Sequence, residues 1–151
     1  MIILSKLADY GVIVATHMAA GPEERQVTAA VLAQETRLPR ATVAKLLKAL
    51  AHAGIVSGAR GAAGGYRLAR PANSIAISEV VAAIDGAIGL TQCTSHEPQC
   101  ARSGYCLTRP HWHRINQAVS TALGAVMLAD MVPFAAFAAE KPASPSESVA
   151  P

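Results

Sequence analysis

The sequence has few aromatic residues, few charges and no long hydrophobic run without polar breaks. Aromatic side chains make up 4% of the 151 residues and charged ones 15%, so we expect an aliphatic, mainly α-helical core. The opening segment is interrupted by Lys6 and Asp9, which argues against a secretion signal and predicts a cytoplasmic protein. The apolar stretch 118–139 contains Asp130 and Pro133, and we therefore expect no membrane span.

Cysteine is scarce as well, and all three cysteines lie in one segment. From Cys93 to Cys106 the sequence reads CTSHEPQCARSGYC. An odd number of clustered thiols in a reducing compartment argues against a structural disulfide and favours metal or redox chemistry. Spacing alone leaves two options open, because Cys93, Cys100 and Cys106 could hold an iron-sulfur cluster, or zinc together with His96. No carboxylate pair or Ser/His/Asp set suggests a catalytic centre, so we do not expect an enzyme.

Positive charge is concentrated in one part of the chain. The formal net charge is only +3, yet residues 37–70 contain no acidic residue. The basic residues of this stretch are Arg37, Arg40, Lys45, Lys48, Arg60, Arg67 and Arg70. Such an asymmetry predicts a surface that binds a polyanion, with a basic surface that has no partner as the alternative.

Apolar periodicity predicts three helices in the same part of the chain. The expected helices cover about residues 4–20, 28–36 and 40–53. Thr28 is placed to cap the second helix, Pro39 to precede the third and Gly54 to end it. The second and third helices, separated by a short turn, form a helix-turn-helix pattern. The exposed face of the third helix is expected to carry Arg40, Thr42, Lys45 and Lys48.

The segment after the third helix predicts a two-stranded wing. It reads IVSGARGAAGGYRLAR, with two short strands expected on either side of a glycine-rich tip at Gly61–Gly65. Arg60 and Arg67 flank the tip, which suits contact with a phosphate ridge or a minor groove. We therefore expect a winged helix-turn-helix domain over residues 1–85.

Beyond the wing we expect a connector, a loop and a long helix. Ser78 is predicted to cap a short helix, and the loop that carries the cysteines covers residues 86–108. A long helix follows over 109–131, and a disordered Pro- and Ser-rich tail over 132–151. The helix has an apolar stripe suited to dimerisation, with packing against the wing domain as the alternative. The stripe consists of Trp112, Ile115, Val119, Ala122 and Val126.

Taken together, these segments resemble the Rrf2 family of bacterial regulators, which includes the IscR and NsrR types. The resemblance covers about residues 1–131. It rests on LSKLADYG, AGIVSGARGAAGGYRLAR, SIAISEVVAAIDG, the three spaced cysteines and HWHRIN. Within the family, LSKLADYG, QCTSHEPQC and HWHRIN are most similar to regulators of the SUF iron-sulfur assembly system. The resemblance implies a homodimeric transcription factor that represses cluster-assembly genes and binds an iron-sulfur cluster, 2Fe-2S or 4Fe-4S, that alters operator affinity.

The resemblance also implies a double-stranded DNA operator as the partner and indicates which residues contact it. The third helix matches the family's recognition helix, and the hairpin matches its wing. Ala44 stands where IscR-like members can have a glutamate used in sequence discrimination, so no operator sequence is implied. Tyr66 could equally brace the hairpin. The expected DNA-binding residues are Thr28, Arg40, Thr42, Lys45, Lys48, Arg60, Gly64, Gly65, Tyr66 and Arg67.

The same resemblance assigns the three cysteines as cluster ligands and leaves the fourth ligand open. Arg109 stands where IscR-like members have a histidine, and an arginine stays protonated and cannot replace it. The candidates are His111 and Asp9 of the partner subunit. Two other hypotheses are open: a zinc-stabilised or cluster-free regulator, and a cluster-based sensor of nitric oxide or iron supply.

Overall fold

The fold is mainly helical, with one two-stranded hairpin, as expected from the sequence. The structure is a computed structural model that describes residues 4–22, 25–59, 61, 64–95, 100–102 and 104–133. Its helices and strands are α1 (Lys6–Ala19), α2 (Ala29–Thr36), α3 (Arg40–His52), β1 (Val56–Ala59), β2 (Gly65–Leu68), α4 (Ile77–Asp85) and α5 (Arg109–Gly124). Two short 3-10 helices cover Ala72–Ser74 and Leu128–Met131.

Local sequence signals explain how α2 and α3 form the helix-turn-helix. The Thr28 hydroxyl accepts a hydrogen bond from the Val31 N–H at 3.3 Å, which confirms the predicted cap of α2. The turn passes through Arg37, which adopts a left-handed φ of 57°. Pro39 precedes α3, and Gly54 follows it with a φ of 70° that glycine adopts without strain.

An aliphatic core joins the helices to the hairpin. The largest fully buried side chains are Leu32, Leu46, Leu47, Leu50, Ile55, Ile75, Leu128, Val14, Val43, Val80 and Val81. No polar or charged residue is buried among the described ones. β1 and β2 pair antiparallel, with Val56 opposite Leu68 at the base of the hairpin. α3 and the hairpin therefore pack on one shared hydrophobic core.

The start of α4 differs from the prediction. The helix begins at Ile77 with Ala76 as its N-cap residue, so Ser78 lies inside the helix and does not cap it. Ala76 forms an antiparallel bridge with Met127, which fixes its extended backbone. The Glu79 carboxylate accepts a hydrogen bond from the Ala76 N–H at 3.0 Å and supplies the stabilisation expected of a cap.

The long C-terminal helix is shorter than predicted. α5 ends at Gly124, because the next residues pair with the segment before α4 instead of continuing the helix. The Val126 carbonyl accepts from the Ile77 N–H at 2.9 Å, and the Leu128 N–H donates to the Ile75 carbonyl at 2.8 Å. Val126 therefore lies outside the helix.

The C-terminal end of the described chain differs in part from the predicted disordered tail. Val132 falls within the predicted tail, but it is buried. Residues 134–151 of that tail lie outside the described residues.

Among the helices that the structure describes, none is long and apolar enough to cross a membrane.

Candidate DNA-binding surface and cysteine loop

Helix α3 buries one face and exposes a basic one. Its buried residues are Val43, Leu46, Leu47 and Leu50. On the outer face, Arg40, Lys45 and Lys48 are exposed and Thr42 is half-buried. Within the described part of the chain, none of these three cations forms an ion pair. Their charges are therefore available to a polyanion.

Arg70 belongs to the same basic run in the sequence but is already paired. Its guanidinium donates to the Glu79 carboxylate at 2.7 Å and to the Ser74 carbonyl at 3.0 Å. The hydrogen bond from the Ala76 N–H, assisted by Arg70, holds the pKa of Glu79 below its usual range. Arg70 therefore ties the chain after the wing to α4, and the free positive charge is smaller than the sequence indicates.

The wing packs against the chain that enters α2. Val27 and Tyr66 exchange two backbone hydrogen bonds, of 2.9 and 2.8 Å. A Cβ at Gly65 would lie 3.1–3.2 Å from three backbone atoms of Val27, tighter than an ordinary van der Waals contact, so this close approach favours glycine. The Tyr66 ring packs on the core beside Gly58. Gly65 and Tyr66 thus brace the hairpin, independently of any contact they make with DNA.

The tip of the wing is only partly described. The Gly64 N–H donates to the Gly61 carbonyl at 2.9 Å, and Gly61 has a φ of 115°. Arg67 is exposed on β2 opposite Ser57. Arg60, for which a groove contact is predicted, lies outside the described residues.

The first half of the cysteine loop is a compact turn around Cys93. The Thr91 carbonyl accepts from the N–H groups of Thr94 and Ser95 at 3.0 and 3.1 Å. The Cys93 sulfur lies 3.2 Å from the Thr91 hydroxyl and is half-buried. A Cβ at Gly89 would lie 2.8 Å from the Cα of Ser95, so the two ends of the turn are in close backbone contact. Cys93 is therefore held by a closed local structure.

Cys106 lies at the other end of the loop, beside the start of α5. Its sulfur is 3.2 Å from the Thr108 hydroxyl. This hydrogen bond lowers the pKa of the Cys106 thiol, with help from the backbone N–H groups of Thr108 and Arg109 and from the charge of Arg102. A lowered pKa favours the thiolate, which is the form that binds soft metals and attacks electrophiles.

The predicted metal ligands are not brought together in the described residues. All three cysteines are free thiols of intermediate exposure. Across the described ranges, no three His, Cys, Asp or Glu side chains are close enough to hold a metal ion. His111 is exposed in the first turn of α5, Asp9 is exposed on α1, and His96 lies outside the described residues. By chemistry the thiols suit a cluster or zinc, but the loop would have to close to bind either.

Helix α5 leaves its predicted dimerisation stripe uncovered. The helix packs against α4 and contains no buried residue. Trp112 is 39% exposed and Ile115 45%. Ala122 is exposed, Val119 is half-buried, and Val126 is exposed beyond the end of the helix. An uncovered apolar stripe of this kind is typical of a surface that packs against another chain.

Asn116 is a site residue that the sequence prediction missed. Its side-chain oxygen accepts a hydrogen bond from the Leu90 N–H at 3.0 Å, and its amide nitrogen donates to the Ile88 carbonyl at 2.9 Å. The sequence carries a weak signal for this role, because asparagine is a poor helix former and stands in the middle of α5. Asn116 thus fastens the cysteine loop to α5.

Comparison with known protein sequences identifies the family of this chain. A sequence model of the Rrf2 family, described as an iron-dependent transcriptional regulator, matches residues 4–133. The regulator IscR of Xenorhabdus nematophila is 29% identical over 129 residues, which cover 85% of this chain and 78% of that protein. The protein rrf2 of Nitratidesulfovibrio vulgaris is 30% identical over 129 residues, which cover 85% of this chain and 86% of that protein.

Solved structures lead to the same family. CymR, the global cysteine regulator of B. subtilis, superimposes with a TM-score of 0.67 at 25% identity over 86% of this chain and 95% of CymR. IscR of T. potens superimposes with a TM-score of 0.66 at 25% identity over 86% of this chain and 85% of that one. The relatives are transcriptional regulators and not enzymes. The chain therefore belongs to the Rrf2 family of winged-helix, DNA-binding transcriptional regulators.

Proposed function

We propose that this protein is a cytoplasmic, homodimeric repressor whose affinity for operator DNA depends on an iron-sulfur cluster, and that it controls SUF cluster-assembly genes. One observation carries the DNA-binding part of the proposal. α3 presents Arg40, Lys45 and Lys48, exposed and without ion pairs among the described residues, on the face opposite the core. A helix with this charge distribution, followed by a hairpin, is built to enter a major groove.

In the proposed complex, α3 reads bases and the surrounding residues position it. Arg40 can donate two hydrogen bonds to a guanine, and Thr42 offers a hydroxyl and a methyl group. Lys45 and Lys48 neutralise phosphates on either side of the groove. Thr28 caps α2 and places the positive end of that helix toward the backbone of the duplex.

The wing supplies the second set of contacts in the complex. Gly64 lets the hairpin backbone approach the sugar-phosphate chain, while Arg60 and Arg67 contact phosphates or the minor groove. Gly65 and Tyr66 keep the wing at a fixed distance from α2, because Tyr66 pairs with Val27 at the entrance to that helix. The wing and α3 therefore approach DNA as one unit.

The dimer would form through α5. A 16-residue helix without a buried residue has an apolar stripe that a second copy can cover. The stripe residues are Trp112, Ile115, Val119 and Ala122 on the helix, with Val126 beyond its end. Two-fold symmetry then places two copies of α3 about 34 Å apart, one helical turn of DNA, and implies a near-palindromic operator.

The cluster would be held by Cys93, Cys100 and Cys106, with His111 or Asp9 of the partner subunit as the fourth ligand. Support comes from the three free thiols, the lowered pKa of Cys106 and the IscR-named relatives. A bound cluster of two or four irons supplies one-electron chemistry and sensitivity to oxidants. The chain's own contribution is to present the thiolates on a loop that joins α4 to α5.

Metal analysis of protein purified without oxygen tests the cluster proposal. We expect iron and acid-labile sulfide together with visible charge-transfer absorption, and we expect their loss when each of the three cysteines is changed to serine. Stoichiometric zinc with neither iron nor sulfide would contradict the proposal. Retention of iron in all three serine variants would contradict the ligand assignment.

A second candidate is a regulator that works without a cluster, with or without structural zinc. This candidate is favoured because, within the described ranges, no three His, Cys, Asp or Glu side chains lie close enough together to hold a metal ion. In that case operator binding would survive replacement of all three cysteines and would ignore oxidants and iron chelators. A sensor of nitric oxide or of iron supply would share the cluster and differ only in the signal that removes it.

A further inference from the structure

The cysteine loop is attached to α5 at two separate places. At its far end, Cys106 contacts Thr108, the residue that precedes α5. At its near end, Asn116 hydrogen-bonds the backbone of Ile88 and Leu90 at 2.9 and 3.0 Å. An α-helix rises 1.5 Å per residue, so these attachments lie about 12 Å apart along the axis of α5. The loop therefore spans roughly two turns of the helix.

The near attachment lies directly before the turn that holds Cys93. Thr91 and Ser95 close that turn by backbone hydrogen bonding, and Leu90, which Asn116 holds, is the residue before it. Only two residues, Thr91 and Gln92, separate Leu90 from Cys93 in the sequence. A displacement of Cys93 larger than the turn itself can absorb would therefore pull on α5 or break the hydrogen bonds of Asn116.

We propose that Asn116 is the positioning residue that couples Cys93 to α5. The inference rests on the proposed function, in which the loop closes to bring the cysteines to a common metal centre. Closure moves Cys93 and Cys106 toward each other, while their attachments stay fixed at two levels of α5. The helix is then tilted or bent against α4. Because α5 carries the uncovered stripe, such a movement changes how two copies place their recognition helices.

The chemistry of asparagine fits this role. Its amide offers one acceptor and a donor, which match the Leu90 N–H and the Ile88 carbonyl. Asn116→Asp has nearly the same shape but places an oxygen against the carbonyl, and Asn116→Ala removes both hydrogen bonds. Gln117 is a matched control, since it is an exposed amide on the same helix that faces Thr121 at 3.5 Å.

Hydrogen exchange in the full-length, cluster-free protein tests the attachment itself. We expect Asn116→Ala and Asn116→Asp to raise the exchange rate of residues 86–95 on the order of tenfold, because two hydrogen bonds are lost. Gln117→Ala should leave that rate unchanged. Wild-type exchange rates in both Asn116 variants would overturn the proposal, whether or not the protein binds a cluster.

Operator binding tests the coupling. For each variant the ratio of the Kd values with and without the cluster is compared with that of the wild type, together with iron content. In the iron-loaded fraction of both Asn116 variants the ratio should fall to within about twofold of one, because a cluster bound to a detached loop no longer moves α5, while the cluster-free Kd stays that of the wild type. If both variants show the same ratio of Kd values as the wild type, the coupling is overturned. If the wild-type protein itself holds no iron, or its two Kd values are equal, the proposed function is refuted. In that case hydrogen exchange still decides whether Asn116 attaches the loop to α5.

Discussion

The salt dependence of DNA binding gives the sharpest test of the basic face of α3. Each α3 exposes Arg40, Lys45 and Lys48 without ion pairs among the described residues, so a two-fold dimer brings six such cations to DNA. On a duplex of mixed sequence, which does not offer Arg40 its guanine, each of the six is expected to neutralise one phosphate, so α3 alone makes log Kobs fall with log salt with a slope of about −5. Lys48→Ala removes two of the six contacts and should make the slope shallower by about 2.

These slopes correspond to large differences in measured affinity. From about 50 to 200 mM salt, wild-type binding should weaken roughly 10³-fold and that of Lys48→Ala roughly 10²-fold. Fluorescence anisotropy with a labelled duplex of mixed sequence suffices, because phosphate contacts do not depend on sequence. Arg70→Ala is the control, since Arg70 lies in the same basic run but is paired with Glu79. Equal flattening by both variants would show that Arg70 is as available to DNA as Lys48, and an unchanged slope for Lys48→Ala would show that Lys48 does not neutralise a phosphate.

Three further predictions concern the wing, the dimer and the loop. Gly65→Ala should lower the free energy of unfolding by about 1–3 kcal/mol in chemical denaturation, because its methyl group would crowd the Val27 backbone. Gly104→Ala, whose added methyl group lies in open space, should change it by less than about 0.5 kcal/mol. Equal losses in the two variants would contradict the close approach of Gly65 to Val27. Ile115→Asp should weaken dimerisation at least about 100-fold in sedimentation while helix content is retained, and an unchanged dimer would exclude α5 as the interface. The rate at which Cys106 is alkylated in cluster-free protein should rise with pH through a midpoint below the usual thiol pKa, because Thr108 stabilises the thiolate. Thr108→Val should move that midpoint upward. A midpoint that does not move would contradict this cause.

Sequence reasoning succeeded where the structure depends on local chemistry. The Thr28 cap, the position of Pro39 before α3 and the glycine at residue 54 are each explained by neighbours within one turn of helix. The apolar spacing of α3 likewise determined which face would be buried and left the basic face outside. These signals were sufficient for the helix-turn-helix and the wing.

The failures involve contacts between parts of the chain that are distant in sequence. Ser78 has the right side chain for a cap, but the pairing of Ala76 with Met127 decides where α4 begins. α5 ends early because Leu128 pairs with Ile75 and enters the core. No local pattern could have predicted either pairing.

The cysteine loop shows a different limit of sequence reasoning. The spacing of the three thiols predicts ligands but cannot say whether the chain alone draws them together, and the described residues show no gathered group. Asn116 was missed because its partners, Ile88 and Leu90, lie more than 25 residues away and are backbone groups. Every residue has a backbone N–H or carbonyl group, so the side chains at those positions do not reveal such a hydrogen bond.

The proposed dependence of operator affinity on the cluster is tested most directly by the operator Kd. It is measured without oxygen on one preparation, before and after removal of the cluster. We expect the two values to differ by at least about tenfold, because in the proposed mechanism cluster occupancy changes the position of α5 and with it the spacing of the recognition helices. Equal Kd values, obtained with full iron loading in the first measurement and none in the second, would contradict it.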